Sequence, residues 1–173
     1  FKLSDWIISI CSGEQQVDSI KKCKKLGLNV LSIDEDPKAP GFKYSNNYIA
    51  IKIDKIDEII EHLKQKNIVP VGISNFVSDA AIIPATILRA HFGIKNGDNI
   101  SYAHLKVNKK KQKKLFQSRG VTLPQLFSKK NKSKLKSFLM KRSLIIKPEI
   151  SSGSRGVEKI SDYIQLERVI QNA

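Results

Sequence analysis

Between residues 6 and 92 the chain alternates short apolar runs with stretches of helical period, and this alternation restricts its fold more than any other feature. Residues 6–11, WIISIC, form an apolar run of strand length that Gly13 breaks. Residues 14–26 bring Val17, Ile20 and Cys23 to one side of a helix, with Gly27 as the stop signal. Residues 29–34, NVLSID, read as a second strand, and the loop 35–47 carries two prolines and a glycine that forbid regular structure. A third, short strand falls at 48–51. The spacing of Ile56, Ile59, Ile60 and Leu63 predicts a helix over 55–66. Residues 69–73 give a fourth strand, whose Pro70 suits a strand start or an edge. Ser78 is placed to cap a helix running to about Phe92, with Asp79 in its first turn, where the helix dipole favours a carboxylate. Strands and helices in this order predict an α/β fold, an open, mostly parallel sheet covered by helices on both faces.

The grammar changes after Gly93. Residues 95–101, KNGDNIS, are turn chemistry, and a lysine-rich helix is expected over 109–119 with Leu115 and Phe116 as its apolar contacts and Gly120 at its end. Residues 121–127 look strand-like around Pro124. A helix at 133–141, a strand at 143–147, a Ser- and Gly-rich loop and a strand at 157–160 follow. A last helix is marked by Leu166, Val169 and Ile170. We place a boundary near residue 105, giving units 1–105 and 106–173. The second is expected to be a partial α+β unit, with too little chain to be complete.

An apolar fraction of 40% with 27% charged residues is that of a folded chain and not of a disordered one. No apolar run approaches the ~20 residues of a membrane helix. The chain opens at Phe1 without a charged leader or cleavage site, as expected of a trimmed chain and not of a secreted precursor. Cys11 and Cys23 have no metal-type spacing and read as buried reduced thiols, so the expected location is the cytoplasm. The formal charge of +15 raises the question of nucleic acid. The cations are mostly Lys, spread along the chain among abundant Ile and Asn, which is the coding bias of an A/T-rich genome. Base readout favours Arg, and single-strand platforms need clustered aromatics, so nucleic acid is not the expected partner. The one dense basic run is KVNKKKQKK, residues 106–114.

Three stretches carry candidate chemistry. The first is CSGEQQ, residues 11–16, between the first strand and helix, where open α/β sheets offer backbone amides to ligands. It has one glycine where a dinucleotide fingerprint has three, so a tight turn and a ligand contact are both open readings. Asp34 at the end of the second strand is placed either to hold a ribose or to cap the following turn. The second stretch is SSGSRG, residues 151–156, whose amides and hydroxyls suit phosphate oxygens, with Arg155 adding a charge-assisted fork. Alone it reads as linker. Lys147 shifts the balance, because it follows the apolar run LII where the strand enters the loop, and Pro148 stiffens that junction. The third is the helix start Asn108-Lys109, where lysines oppose the helix dipole unless an anion lies near.

In this order and spacing the pieces resemble the ATP-grasp superfamily, in the branch of biotin carboxylase and carbamoyl-phosphate synthetase. The matching elements are Asn108-Lys109, a helix ending in Gly120-Val121 with Pro124 soon after, LIIKP at 144–148, the Ser/Gly loop, and Arg155-Gly156-Val157 before a helix. The front half resembles the Rossmann-like pre-ATP-grasp domain through GEQQ at 13–16, LGLNVLSIDEDPKAPGFKYSNNYIAI at 26–51 and SNFVSDAA at 74–81.

The resemblance implies that Lys109 and Lys147 reach the nucleotide phosphates. It implies that Ser151, Ser152, Gly153, Ser154, Arg155 and Gly156 form the loop that closes over them, with Arg155 the candidate for a catalytic role. Gly13, Glu14, Gln15, Asp34, Ser74 and Asn75 match the face that helps hold the acceptor substrate. The implied cofactors are ATP and Mg2+, whose ligands in the family lie downstream of such a loop and are not expected in this stretch. An N-terminal fragment of an ATP-dependent carboxylate-amine or bicarbonate-amine ligase, inactive alone and with a homodimer possible, is the expected identity. A non-catalytic α/β module binding a small molecule is the alternative.

Overall fold

The computed structural model describes residues 4–95, 97–125, 127, 131–148 and 156–171. They fall into two compact units, 1–107 and 108–173.

The first unit is built on four parallel strands, β1 Trp6–Ile10, β2 Asn29–Asp34, β3 Asn47–Ala50 and β4 Pro70–Ser74, in the order β3-β2-β1-β4. β1 is central, pairing Ile8 with Leu31 on one side and with Ile73 on the other. Nearly continuous Ile, Val and Leu suit a strand buried on both faces, which a parallel sheet requires. Alternation sends Ile8, Ile10, Leu31, Ile33 and Ile73 to one face. There they pack with Ile59, Ile60 and Leu63 of α2 (Ile56–Gln65), and with Ala85 and Leu88 of α3 (Ile82–His91). The opposite parity, Ile7, Ser9, Val30 and Ser32, is also buried, and α1 (Glu14–Lys25) brings Val17 and Ile20 to the sheet from that side. Each fully buried Ile or Leu is worth about 1.5–3 kcal/mol of transfer free energy, so this double-sided core holds the sheet. A fourth helix, α4 (Ile100–Val107), packs on α3.

The second unit is smaller. A two-stranded antiparallel hairpin, β5 Leu144–Ile146 and β6 Glu158–Ile160, pairs Leu144 with Ile160. Helices α6 (Lys132–Leu139) and α7 (Tyr163–Gln171) cover its inner face, burying Leu135 and Leu166 with Leu144 and Ile160. The remaining helix, α5 (Lys109–Ser118), is capped by Asn108, whose Oδ1 accepts from Lys111 N at 2.8 Å, and buries none of its residues. The α/β class and the parallel sheet expected from the periodicity are both present.

Four expectations need correction. Ser78 does not cap α3. The helix starts at Ile82, after a turn in which Ile82 N donates to Asp79 O. Pro84 sets this start, because a helix begun at Asp79 would hold Pro84 in its interior, where it removes a hydrogen bond and clashes with the preceding turn. Residues 121–125 and 127 form no strand, since Pro124 lacks a donor and no described strand runs alongside to accept a ladder. Residues 100–107, taken for no element, are helix α4, capped by Asn99, whose Oδ1 accepts from Tyr102 N at 2.9 Å. Cys11 and Cys23 are free thiols but only partly buried, and Cys11 lies beyond the end of β1, not inside a strand.

Candidate functional site

In the strand order β3-β2-β1-β4 the connections leave β1 in opposite directions, so the carboxyl ends of β1 and β4 flank the switch point where open sheets bind ligands. Two loops meet there, Cys11-Ser12-Gly13 after β1 and Asn75-Phe76-Val77 after β4. They are tied to each other. Gln16, buried in the first turn of α1, donates from Nε2 to Phe76 O at 2.7 Å, and Cys11 Sγ donates to Ser78 Oγ at 3.4 Å. Cys11 (φ 70°) and Val77 (φ 56°) both hold left-handed backbone, which a β-branched residue such as Val77 adopts only under constraint.

Gly13 is the N-cap of α1 and supplies no side-chain cap, while Glu14 and Gln15 stand exposed in the first turn. Asp34 braces two loops at once. Its Oδ2 accepts from Ser12 N at 2.7 Å and its Oδ1 from Asp36 N at 3.0 Å, so capping of the following turn is realised. Gly41 carries the next loop close over the same turn, and its N donates to Ser12 O at 2.7 Å. A Cβ at 41 would lie 2.9 Å from that oxygen and 2.7 Å from Ile20. Ser74 ends β4, and Asn75 Oδ1 accepts from Arg89 at 2.8 Å, while the same guanidinium nitrogen donates to Ile73 O. Gly13, Glu14, Gln15, Asp34, Ser74 and Asn75 thus share one edge of the sheet. Gln16 and Arg89, which hold that edge together, escaped sequence reading. Gln16 belongs to a motif already singled out, but Arg89 gives no local signal.

Burial pushes the Cys11 thiol pKa up from its ordinary value against the pull of the Ser78 hydroxyl, and the carboxylates of Asp34 and Glu35 add to the rise. This thiol is therefore kept protonated and is a poor nucleophile.

In the second unit, Lys109 opens α5 and is half-buried. Lys113, one turn on, is half-buried too, and burial followed by the charge of Lys147 lowers its pKa. Lys147, exposed just past β5, is therefore within electrostatic reach of α5. Spacing from Lys109 was the signal for Lys113, since residues four apart share a helix face. The neck of the following loop is tight. Gly156 has φ 70°, and a Cβ there would meet Pro148 Cγ at 2.8 Å. Ser151, Ser152, Gly153, Ser154 and Arg155 lie outside the described residues.

Ammonium groups within electrostatic reach of one another beside such a neck are chemistry for an anion, which would relieve the repulsion of Lys113 by Lys147. Among the described residues no three His, Cys, Asp or Glu side chains gather as a metal-ligand set. Among the described residues no helix is long and apolar enough to cross a membrane.

No protein-family model matches the sequence, and no curated protein matches it. Solved structures do match by fold. N5-carboxyaminoimidazole synthetase from Staphylococcus aureus, complexed with ADP, superposes with a TM-score of 0.67 at 16% identity, over 99% of this chain and 44% of that one. The biotin carboxylase domain dimer of the 2-oxoglutarate carboxylase from Hydrogenobacter thermophilus, in complex with MgADP, ADP and bicarbonate, gives 0.67 at 17% identity, over 99% and 40%. L-amino acid ligase from Bacillus licheniformis gives 0.69 at 14% identity, over 99% and 43%. These structural neighbours are ATP-grasp ligases, matched over their N-terminal region. The chain has the fold of that region and spans less than half the length of the structures it matches.

Proposed function

We propose that this chain is the N-terminal part of an ATP-dependent ligase that joins a carboxylate, or bicarbonate, to an amine through an acyl phosphate. A carboxylate oxygen attacks the γ-phosphorus of ATP and the bond to ADP breaks. The amine then displaces phosphate from the acyl carbon. Phosphoryl transfer of this kind is chiefly positioning and charge neutralisation, so ammonium groups and backbone amides are the equipment it needs.

In this reading Lys109 and Lys147 neutralise phosphate oxygens, with Lys113 beside them. Residues Ser151 to Gly156 wrap the triphosphate and exclude water, and Arg155 stabilises the charge of the transferring group. The edge formed by Gly13, Glu14, Gln15, Asp34, Ser74 and Asn75 faces the acceptor. By this reading catalysis needs a chain of the length of the matched ligases, and residues 1–173 alone turn over no ATP. A cytoplasmic location fits the free thiols.

The observation that carries the proposal is the position of exposed Lys147 just past β5, beside the Pro148–Gly156 neck where only glycine fits; the lowering of the Lys113 pKa by its charge agrees with this. The test is Lys147→Ala in the full-length protein. Loss of one charge-assisted contact, about 1.5–3 kcal/mol, predicts a fall in ATP affinity of roughly ten- to a hundredfold, with turnover falling as well. ATP affinity and turnover equal to wild type would remove the assignment.

A further inference from the structure

The charge of this chain is divided unevenly between its units. Residues 1–107 carry 14 Lys and Arg against 12 Asp and Glu, a formal +2. Residues 108–173 carry 17 against 4, a formal +13, and residues 108–148 hold 14 cations and no acid. Coding bias accounts for Lys in place of Arg. It does not account for the missing acids, since the first unit, under the same bias, has a dozen. Nor does one triphosphate, which can occupy only a few of these cations.

We infer that the basic surface of the second unit binds the phosphodiester backbone of a nucleic acid, without reading its sequence. The arrangement is unfavourable for the protein by itself. Lys109, Lys110 and Lys111 crowd the positive end of the α5 dipole, and Lys110 and Lys114 repel each other at one-turn spacing. Lys110, Lys111 and Lys114 are exposed, on a helix that buries no residue. A polyanion neutralises such a row and gains by releasing its counterions. The predominance of Lys over Arg, which coding bias explains, gives no basis for base readout.

An anionic bilayer is a poorer match. Interfacial helices present a broad apolar face, whereas α5 has only Leu115 and Phe116, adjacent in sequence and so pointing in different directions. Among the described residues of the unit the most exposed apolar side chains, Met140, Ile145 and Ile164, lie on separate segments and form no stripe along α5.

The experiment measures binding of the full-length protein to a DNA duplex of about 20 base pairs and to a single-stranded RNA of about 20 nucleotides, both of mixed sequence, across a salt series. The variant is Lys110→Glu with Lys111→Glu and Lys114→Glu. Acidic residues at 110 and 111, in the first turn, suit the helix dipole, and a circular-dichroism spectrum and thermal midpoint like wild type exclude unfolding as the cause of lost binding. The control reverses Lys38, Lys52 and Lys64, exposed in the first unit. The wild type is expected to bind at least one probe, with log K falling linearly against log salt. The α5 variant should lose at least tenfold in affinity, and its salt slope should be shallower by about 2–3, from 0.7–0.9 per phosphate contact removed. The control should change affinity less than twofold.

No binding of either probe at low salt would overturn the inference. So would an α5 variant that binds like wild type, or tighter binding to phosphatidylserine vesicles or to polyglutamate than to either nucleic acid. The α5 variant leaves Lys109 and Lys147 in place, so none of these outcomes decides the ligase proposal.

Discussion

Gly156 and Gly120 both hold left-handed backbone, but only one of them is also short of room. At Gly120 (φ 75°) nothing lies within 4 Å of where a Cβ would be, whereas at Gly156 the ring of Pro148 would be 2.8 Å away. Gly120→Ala should therefore cost about 1 kcal/mol, the backbone penalty alone. Gly156→Ala should cost about 2 kcal/mol or more, because overpacking adds to that penalty. Urea denaturation of the two variants checks the order. A second residue-scale prediction concerns pH. The folded Cys11 pKa lies above the unfolded value, so its contribution to stability is complete below the ordinary thiol range and is lost as pH rises through the folded pKa. Cys11→Ala should thus flatten the stability profile above about pH 9 relative to wild type, as read by denaturation at a series of pH values. At this scale the sequence showed the chemistry-bearing residue types and their spacing. It could not show that Asp34 would brace two loops, because that needs Ser12, 22 positions away, brought next to it by the sheet.

Among the elements, α3 packs Ala85 and Leu88 in the same core as Ile73 of β4 and is also hydrogen-bonded to the end of that strand through Arg89. Arg89 donates to Ile73 O and to Asn75 Oδ1, and burial lowers its pKa without removing its charge. Arg89→Met should destabilise the chain by about 2 kcal/mol, chiefly by leaving partly buried acceptors unpaired, and denaturant titration measures it. The strands were legible because a parallel sheet demands uninterrupted apolar runs, and β2 matches its expected bounds. Helix starts were harder. Ser78 has the chemistry of a cap, but Pro84 decides where α3 can begin. Helix α4 was missed although Asn99 and the pair Ile100 and Ala103 carried a cap-and-spacing signal, masked by the turn residues just before it. Residues 121–125 and 127 illustrate the converse error. Strand propensity is realised only where a partner offers a ladder, and no local pattern reports the partner.

For the molecule as a whole, the +13 on residues 108–173 makes self-repulsion a property of that unit. Among its described residues the exposed or part-exposed ion pairs Lys132–Glu167 and Arg168–Glu158, both at 3.4 Å, are too weak to offset it. Raising salt from about 0.05 to 0.5 M should therefore raise the thermal midpoint by a few degrees, because screening relieves repulsion more than it weakens these pairs. Calorimetry in a salt series tests this, and a falling midpoint would count against it. The α/β architecture was legible at this scale from periodicity, and the likeness to ATP-grasp ligases from the order of weak motifs. The partition of charge was equally present in the residue types, but it emerges only once the boundary between compact units is known.

In the chain, β1 precedes both of its neighbours in the sheet. β1 meets β2 after one crossover, but its other neighbour, β4, leaves the ribosome about sixty residues later. At ordinary rates of translation the apolar flank of β1 waits several seconds for that partner. A growing chain of this kind is most prone to misassociation in that interval, and co-translational chaperones would find their target at Ile7 to Ile10.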